Sequence, residues 1–452
     1  MTFNDIFTRN DLADFLGIKR GQLTNILYFK HVDSLYKTFS IPKKNGSERI
    51  IHAPNHKLKV IQKRLANALW THQETIWRTN NIVPSVSHAF QKKKSIITNS
   101  VRHRNKRIVI NYDLKDFFTS FNFGRVRGFF IKNRYWQLSE EISTVIAQLT
   151  CFKGALPQGA PTSPIITNMI SNIMDIGLIQ LAKKYRLNYT RYADDLTFST
   201  NDIKFASVYE TFFKEFNNIV NRAGFTINSQ KTRLVFSNNR QEVTGLIVNK
   251  RLSVGRDYCK QTEAMANNLY SKGEFTIDDK QGSISQLEGR FSFIDQLERY
   301  NNIIDHDQHS VHNLRHRERK YQEFLFYKYF CANPKPLIIT EGKTDIIHIK
   351  SALKALYLQY PNLISRNNNL WNYNVSFLNR SPRLKYFFDF QLDGADSMVT
   401  IYNLYSGQGR ANINYCERFS EHYGMIANYP VILLFDNELE KKNLQYASLK
   451  IR

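Results

Sequence analysis

Two adjacent aspartates, Asp194 and Asp195, interrupt a stretch that otherwise reads as β-structure. Tyr189 and Tyr192 precede them, and Leu196 and Phe198 follow. Residues 187–191 and 195–199 are therefore predicted to pair as a hairpin, with Ala193-Asp194-Asp195 at or near its tip. A third acid, Asp113, ends the apolar run RIVINY at 107–112, which reads as a buried strand. Carboxylates at the end of a buried sheet are costly to desolvate unless they face a cation. A fold for this chain must bring acid-bearing strand ends to a place where positive charge arrives. Two Mg²⁺ ions held by such carboxylates suit in-line attack on a phosphoryl group. An isolated Asp-Asp pair would equally suit a solvated turn, so the neighbouring segments decide.

The charge balance indicates the partner. The 452 residues carry 63 Lys+Arg against 39 Asp+Glu, a net charge of +24, with 24 Tyr and 32 Phe available to stack on bases. A chain this basic is expected to meet a polyanion, and nucleic acid is the first candidate. Four scattered cysteines, Cys151, Cys259, Cys331 and Cys416, have neither metal-ligand nor disulfide spacing. The acidic, amphipathic N-terminus does not read as a secretory signal. No apolar run is expected to reach the roughly 18 residues of a membrane span. A reduced, cytoplasmic protein is the expectation.

The pass along the chain predicts short amphipathic helices over 1–40 and a hairpin over 41–63, turning at Asn45-Gly46 and leading into a helix. Helices are expected at 164–184 and about 205–222, and strands at 233–236 and 243–248. Residues 256–330 read as mainly helical and densely charged. His306, His309, His312 and His316 are spaced to share a helix face, but they lack a zinc pattern and read as a solvated or RNA-facing surface. Asn333-Pro334-Lys335-Pro336 reads as a linker. The strand Leu337–Thr340 and a helix over about 344–358 then open a new α/β region.

Three segments together carry a resemblance. Tyr192-Ala193-Asp194-Asp195, the loop LPQGAPTSP at 156–164, and Asp113-Leu114-Lys115-Asp116-Phe117-Phe118 resemble, in order and spacing, the signatures of reverse transcriptases. Asn99-Ser100-Val101-Arg102-His103 and Val243-Thr244-Gly245 are similar to two elements of the retron branch, with Ser100 where alanine is usual. The resemblance covers about residues 1–320. It implies an α+β right-hand polymerase of fingers, palm and helical thumb.

The resemblance also assigns roles. Asp113, Asp194 and Asp195 would hold two Mg²⁺ ions. Phe118 would be the aromatic gate under the sugar of an incoming dNTP, with Gln158, Gly159 and Arg49 around the nucleotide. Lys231 would protonate the leaving pyrophosphate. Asn99, His103, Val243, Thr244 and Gly245 would contact RNA or the primer end. The implied partners are dNTPs, a cognate structured non-coding RNA and its branched RNA-linked DNA product (msDNA), primed from a guanosine 2′-hydroxyl. A group II intron relative would share the acids but lack the two retron elements. A decayed RNA-binding scaffold is the non-enzymatic alternative.

Glu341, after the strand Leu337–Thr340, and Asp436 and Glu438, after the later apolar run Val431–Phe435, resemble the metal-binding acids of a TOPRIM domain. The usual Asp-x-Asp is here Asp-x-Glu. The resemblance implies an α/β nuclease effector using Mg²⁺ or Mn²⁺, in a bacterial antiphage role that favours several copies of the chain. The family continues for at least another strand and helix beyond these acids, whereas 439–452 is all that follows here. The expected domains are fingers and palm over 1–235, palm end and thumb over 236–332, and a TOPRIM-like domain, incomplete or shortened, over 336–452.

Overall fold

Apolar, strand-prone residues pair the central strands into one antiparallel sheet with the acids at the strand ends. The computed structural model describes all residues except 1–2, 43–45, 47, 85, 309, 395, 409–412, 426–428 and 436–452. Asn45 of the expected turn, His309, Asp436 and Glu438 thus lie outside the described residues. The chain divides into two units, Met1–Leu252 and Ser253–Arg452.

In the first unit β1 (Tyr36–Pro42) and β2 (Glu48–Pro54) form a hairpin that leads into α1 (His56–Thr79). The first strand therefore begins inside the stretch expected to be wholly helical. The main sheet contains β3 (Ile108–Asp113), β4 (Asn188–Tyr192), β5 (Asp195–Thr200) and β6 (Arg233–Phe236), in the order β4-β5-β3-β6. Two helices supply much of its core, α2 (Ser163–Lys184) and α3 (Phe205–Arg222). Phe205, Phe212, Phe216 and Val220 fall on one face of α3 and are buried. Phe216 stacks on Tyr112 of β3 at 4.3 Å between ring centroids, and Phe212 meets Phe198 of β5 edge-on at 5.3 Å.

Pro164 stands in the first turn of α2, where its missing N–H costs nothing. By length and composition α2 is apolar enough to cross a membrane, contrary to the expectation that no run reaches that length. Of its most apolar 18-residue window, 67% is buried inside the protein. The expected strand at 243–248 is also corrected. It is a hairpin of β7 (Glu242–Val243) and β8 (Leu246–Ile247), because Thr244 (φ +46°) and Gly245 (φ +83°) turn the chain between them.

In the second unit α4 (Arg256–Lys272), α5 (Ile284–Ile304) and α6 (His316–Phe326) precede β9 (Leu337–Thr340), α7 (Lys343–Ala355), β10 (Ser376–Phe377), α8 (Pro382–Phe388), α9 (Tyr415–Tyr423) and β11 (Val431–Leu434). β9 lies between β10 and β11 and runs parallel to both. Leu287, Phe291, Tyr321, Phe324 and Phe326 from the helices share one core with Leu337, Ile339, Phe387 and Phe419. The stretch expected as a linker, 333–336, thus joins two halves of a common core.

Candidate active site

Antiparallel pairing sets the three acids side by side. Asp113, the last residue of β3, is opposite Asp195, the first of β5. Tyr192 pairs with Asp195, so Ala193 and Asp194 alone form the β4–β5 turn, with Ala193 in the left-handed region at φ +58°. The Leu114 amide donates to the Asp194 carbonyl at 3.1 Å and ties the turn to the end of β3.

The carboxylates differ in their surroundings. Asp113 is nearly buried. Its Oδ1 accepts from Asn228 Nδ2 at 3.1 Å, and its Oδ2 pairs with Lys231 Nζ at 2.8 Å. That bond keeps the Lys231 ammonium more firmly protonated than usual. Burial, reinforced by the Asp113 charge, raises Asp194, while Lys231 and Arg49 pull the other way. Arg49, on β2 opposite Ile41, is exposed and lies within electrostatic reach of the turn. Asp195 is exposed at the start of β5. Desolvation, then Asp194 and Asp113, push it up to about 7.

Among the described residues, no three His, Cys, Asp or Glu side chains form a ready metal cage. The acids are close enough to shift one another, and Asp113 is engaged by Lys231 and Asn228.

Asp195 gives a signed prediction. Its folded-state value is raised from 3.8 to about 7, so the protonated form favours the native state. The stability this gives is complete below the ordinary carboxylate value and is lost as pH rises through about 7. Asp195→Asn should therefore raise the melting temperature of the chelator-treated protein at pH 8. The gain should shrink as pH is lowered toward 5, which parallel melts at the two pH values would read.

The loop before α2 is built against β2. The His52 amide donates to the Gln158 carbonyl at 2.8 Å. Gly159 has φ +120°, and a Cβ there would lie 2.8 Å from the His52 carbonyl oxygen and 2.9 Å from Ile51 Cγ2. Only glycine fits this approach. Gly159→Ala is expected to cost about 1–3 kcal/mol through overpacking and backbone strain, measured by denaturant unfolding. Phe118, half-buried in the turn after β3, meets Phe117 edge-on at 5.6 Å.

The two retron-like elements meet each other. Ser100 Oγ donates to the Val243 carbonyl at 2.9 Å and lies 3.0 Å from Thr244 Oγ1. Asn99 Nδ2 reaches Thr244 Oγ1 at 3.4 Å. Asn99, Val243 and His103 are buried, so direct RNA contact by these three is corrected. His103 is held between Ser199 Oγ on Nδ1 and Thr190 Oγ1 on Nε2, each at 2.7 Å, and burial pushes it down to about 3. Its neutral ring joins β4 to β5. Thr244 and Gly245 alone of the five remain accessible. Glu341 directly follows β9 in the second unit.

The sequence reading missed a buried ion pair behind the β4–β5 turn. Arg191 of β4 and Asp175 of α2 are 0% and 2% exposed, and two guanidinium nitrogens meet both carboxylate oxygens at 2.8–3.1 Å. Tyr189 donates its hydroxyl to Asp175 at 2.8 Å. Arg191 Nη1 donates to Asn168 Oδ1 at 3.1 Å and to the Ala193 carbonyl at 3.3 Å, beneath Asp194. The available signal was Asp175 as the one acid in the apolar-rich stretch 163–184, and Arg191 between the tyrosines of a strand-prone run.

Comparison with known proteins accords with this geometry. The family described as "Reverse transcriptase (RNA-dependent DNA polymerase)" matches residues 41–249. The chain is 34% identical over 316 residues to the retron Mx162 reverse transcriptase of Myxococcus xanthus, covering 63% of this chain and 62% of that protein. To the retron Mx65 reverse transcriptase of the same organism it is 31% identical over 307 residues, covering 64% and 68%. To the retron Ec86 reverse transcriptase of Escherichia coli it is 31% identical over 294 residues, covering 63% and 84%.

Proposed function

The chain belongs to the retron reverse transcriptases, and from that premise we propose that it is an RNA-directed DNA polymerase that copies a cognate structured RNA. The observation that carries the reading is the meeting of Asp113, Asp194 and Asp195 at one sheet edge, with Lys231 on Asp113. The donor set fits Mg²⁺, since it is made of carboxylate oxygens whose mutual repulsion calls for a hard cation. Bound there, the metal would activate the attacking hydroxyl and neutralise the leaving pyrophosphate.

The remaining roles belong to the chain. Lys231 stands protonated on Asp113 among the acids and would be the donor to the departing pyrophosphate oxygen. Arg49 brings a positive charge toward the turn, where triphosphate oxygens would sit. Gly159 lets the loop lie directly on β2, which shapes the base of the nucleotide pocket beside Gln158. Phe118 would exclude a 2′-hydroxyl. The Thr244-Gly245 turn, seated on Asn99 and Ser100, would meet the primer end.

In this reading synthesis begins from a guanosine 2′-hydroxyl and leaves branched RNA-linked DNA bound to the protein in the bacterial cytoplasm. The net charge of +24 suits such a polyanion. The second unit would carry a TOPRIM-like nuclease effector held in check by the retron nucleic acid and released in antiphage defence. What supports this part is the parallel pairing of β9 and β11, with Thr340 opposite Leu434, so that both strands end at the same edge. Glu341 follows one strand, and Asp436 and Glu438 follow the other in sequence.

The test is extension of a DNA primer on an RNA template. Dependence on dNTPs and Mg²⁺, with loss on chelation and recovery when the metal is restored, is the expected result. Absence of extension with every divalent cation tried would refute the polymerase reading.

A further inference from the structure

A segment outside the expected motifs approaches the proposed sugar gate. Residues 86–88 run along the free edge of β4. The Arg191 amide donates to the Val86 carbonyl and the His88 amide to the Arg191 carbonyl, each at 2.8 Å. Side chains fix the same segment from other directions. Ser87 Oγ donates to Asn168 Oδ1 at 2.9 Å, and Asn168 Nδ2 donates to the Ala89 carbonyl at 2.8 Å. His88 Nδ1 lies 2.9 Å from Thr98 Oγ1. Lys94 Nζ donates to the carbonyls of Pro84 at 2.7 Å and Ser87 at 3.1 Å.

After Ala89 comes Phe90, at φ +58° and 41% exposed. A bulky side chain rarely occupies the left-handed region, and such a conformation persists only where the surroundings over-determine it. The hydrogen bonds of residues 86–89 supply that constraint. The ring lies 6.4 Å from the Phe118 ring, tilted by 59°. This is an aromatic contact, made by an exposed ring on a strained backbone.

We propose that Phe90 is a positioning residue for nucleotide-sugar selection, bracing the Phe118 ring so that it cannot yield to a 2′-hydroxyl. A steric gate discriminates only as far as its ring resists displacement. Phe118 stands in a turn and is half-buried, with Phe117 edge-on as its other aromatic neighbour. Removing Phe90 gives the gate room to move. The inference rests on the reading of Phe118 as the gate, so the two are tested together.

The experiment compares kcat/KM for dNTP and rNTP incorporation on one RNA template with one DNA primer, using the full chain. Phe118→Ala should lower the dNTP preference by about a hundredfold and Phe90→Ala by about tenfold. Phe90→Tyr should restore most of the preference, since it keeps the ring. Phe90→Leu, which fills the space without a ring face, gives a second reading should the alanine variant fold poorly. It should also relax selection. If Phe118→Ala relaxes selection while Phe90→Ala and Phe90→Leu change both substrates by the same factor, the brace is refuted and the gate stands. If Phe118→Ala leaves the preference intact, the gate reading falls and the brace with it.

Discussion

Asp194→Asn is expected to lower primer extension by at least about a thousandfold, the several kcal/mol that a metal-holding carboxylate contributes to phosphoryl transfer. The fold should survive the change. Asp194 lies in a two-residue turn anchored through its backbone, and the Leu114 amide bond to its carbonyl is untouched by the substitution. Removing a charge that is raised by burial and by Asp113 should leave stability equal or higher. A thermal melt beside the extension assay separates chemistry from folding. A loss under tenfold with a native melt would place the chemistry elsewhere.

The second large effect is structural and lies behind the same turn. Asp175→Ala leaves the Arg191 guanidinium buried with its main partner gone, which should cost about 3–5 kcal/mol. For a unit of this size that is a drop of roughly 10 °C in melting temperature. The double change Asp175→Leu with Arg191→Met removes both charges and should recover most of that stability. It should not recover activity fully, because Arg191 also holds the Ala193 carbonyl beneath Asp194. Denaturant unfolding and primer extension on the single and double variants test both halves. A double variant as active as the wild type would show that the pair serves folding alone.

The central hairpin and the helical face of Phe205, Phe212, Phe216 and Val220 were legible because their periods are simple. The acids were legible because charge in apolar, strand-prone flanks requires a reason. Arg191 was not, since its justification lies on another element, at Asp175, sixteen positions away along the chain. His103 stands among Arg102, Arg104 and Asn105 and reads as a surface residue. It is buried because Thr190 and Ser199 offer hydroxyls from two adjacent strands. By pattern the run 243–248 reads as one strand; the resemblance implies a turn at Gly245, and the backbone angles of Thr244 and Gly245 place it there. Phe90 carried no signal, because the role proposed for it depends on a distant anchor, Asn168, and on a left-handed backbone. Pairing across elements, rather than local pattern, accounts for each omission.

The most direct test of retron synthesis is to express the chain with its adjacent non-coding RNA and sequence the nucleic acid that copurifies, beside a variant carrying Asp194→Ala and Asp195→Ala. The account predicts RNA-linked DNA, branched at a guanosine, on the wild type and RNA alone on the variant. RNA without DNA on both proteins would contradict it.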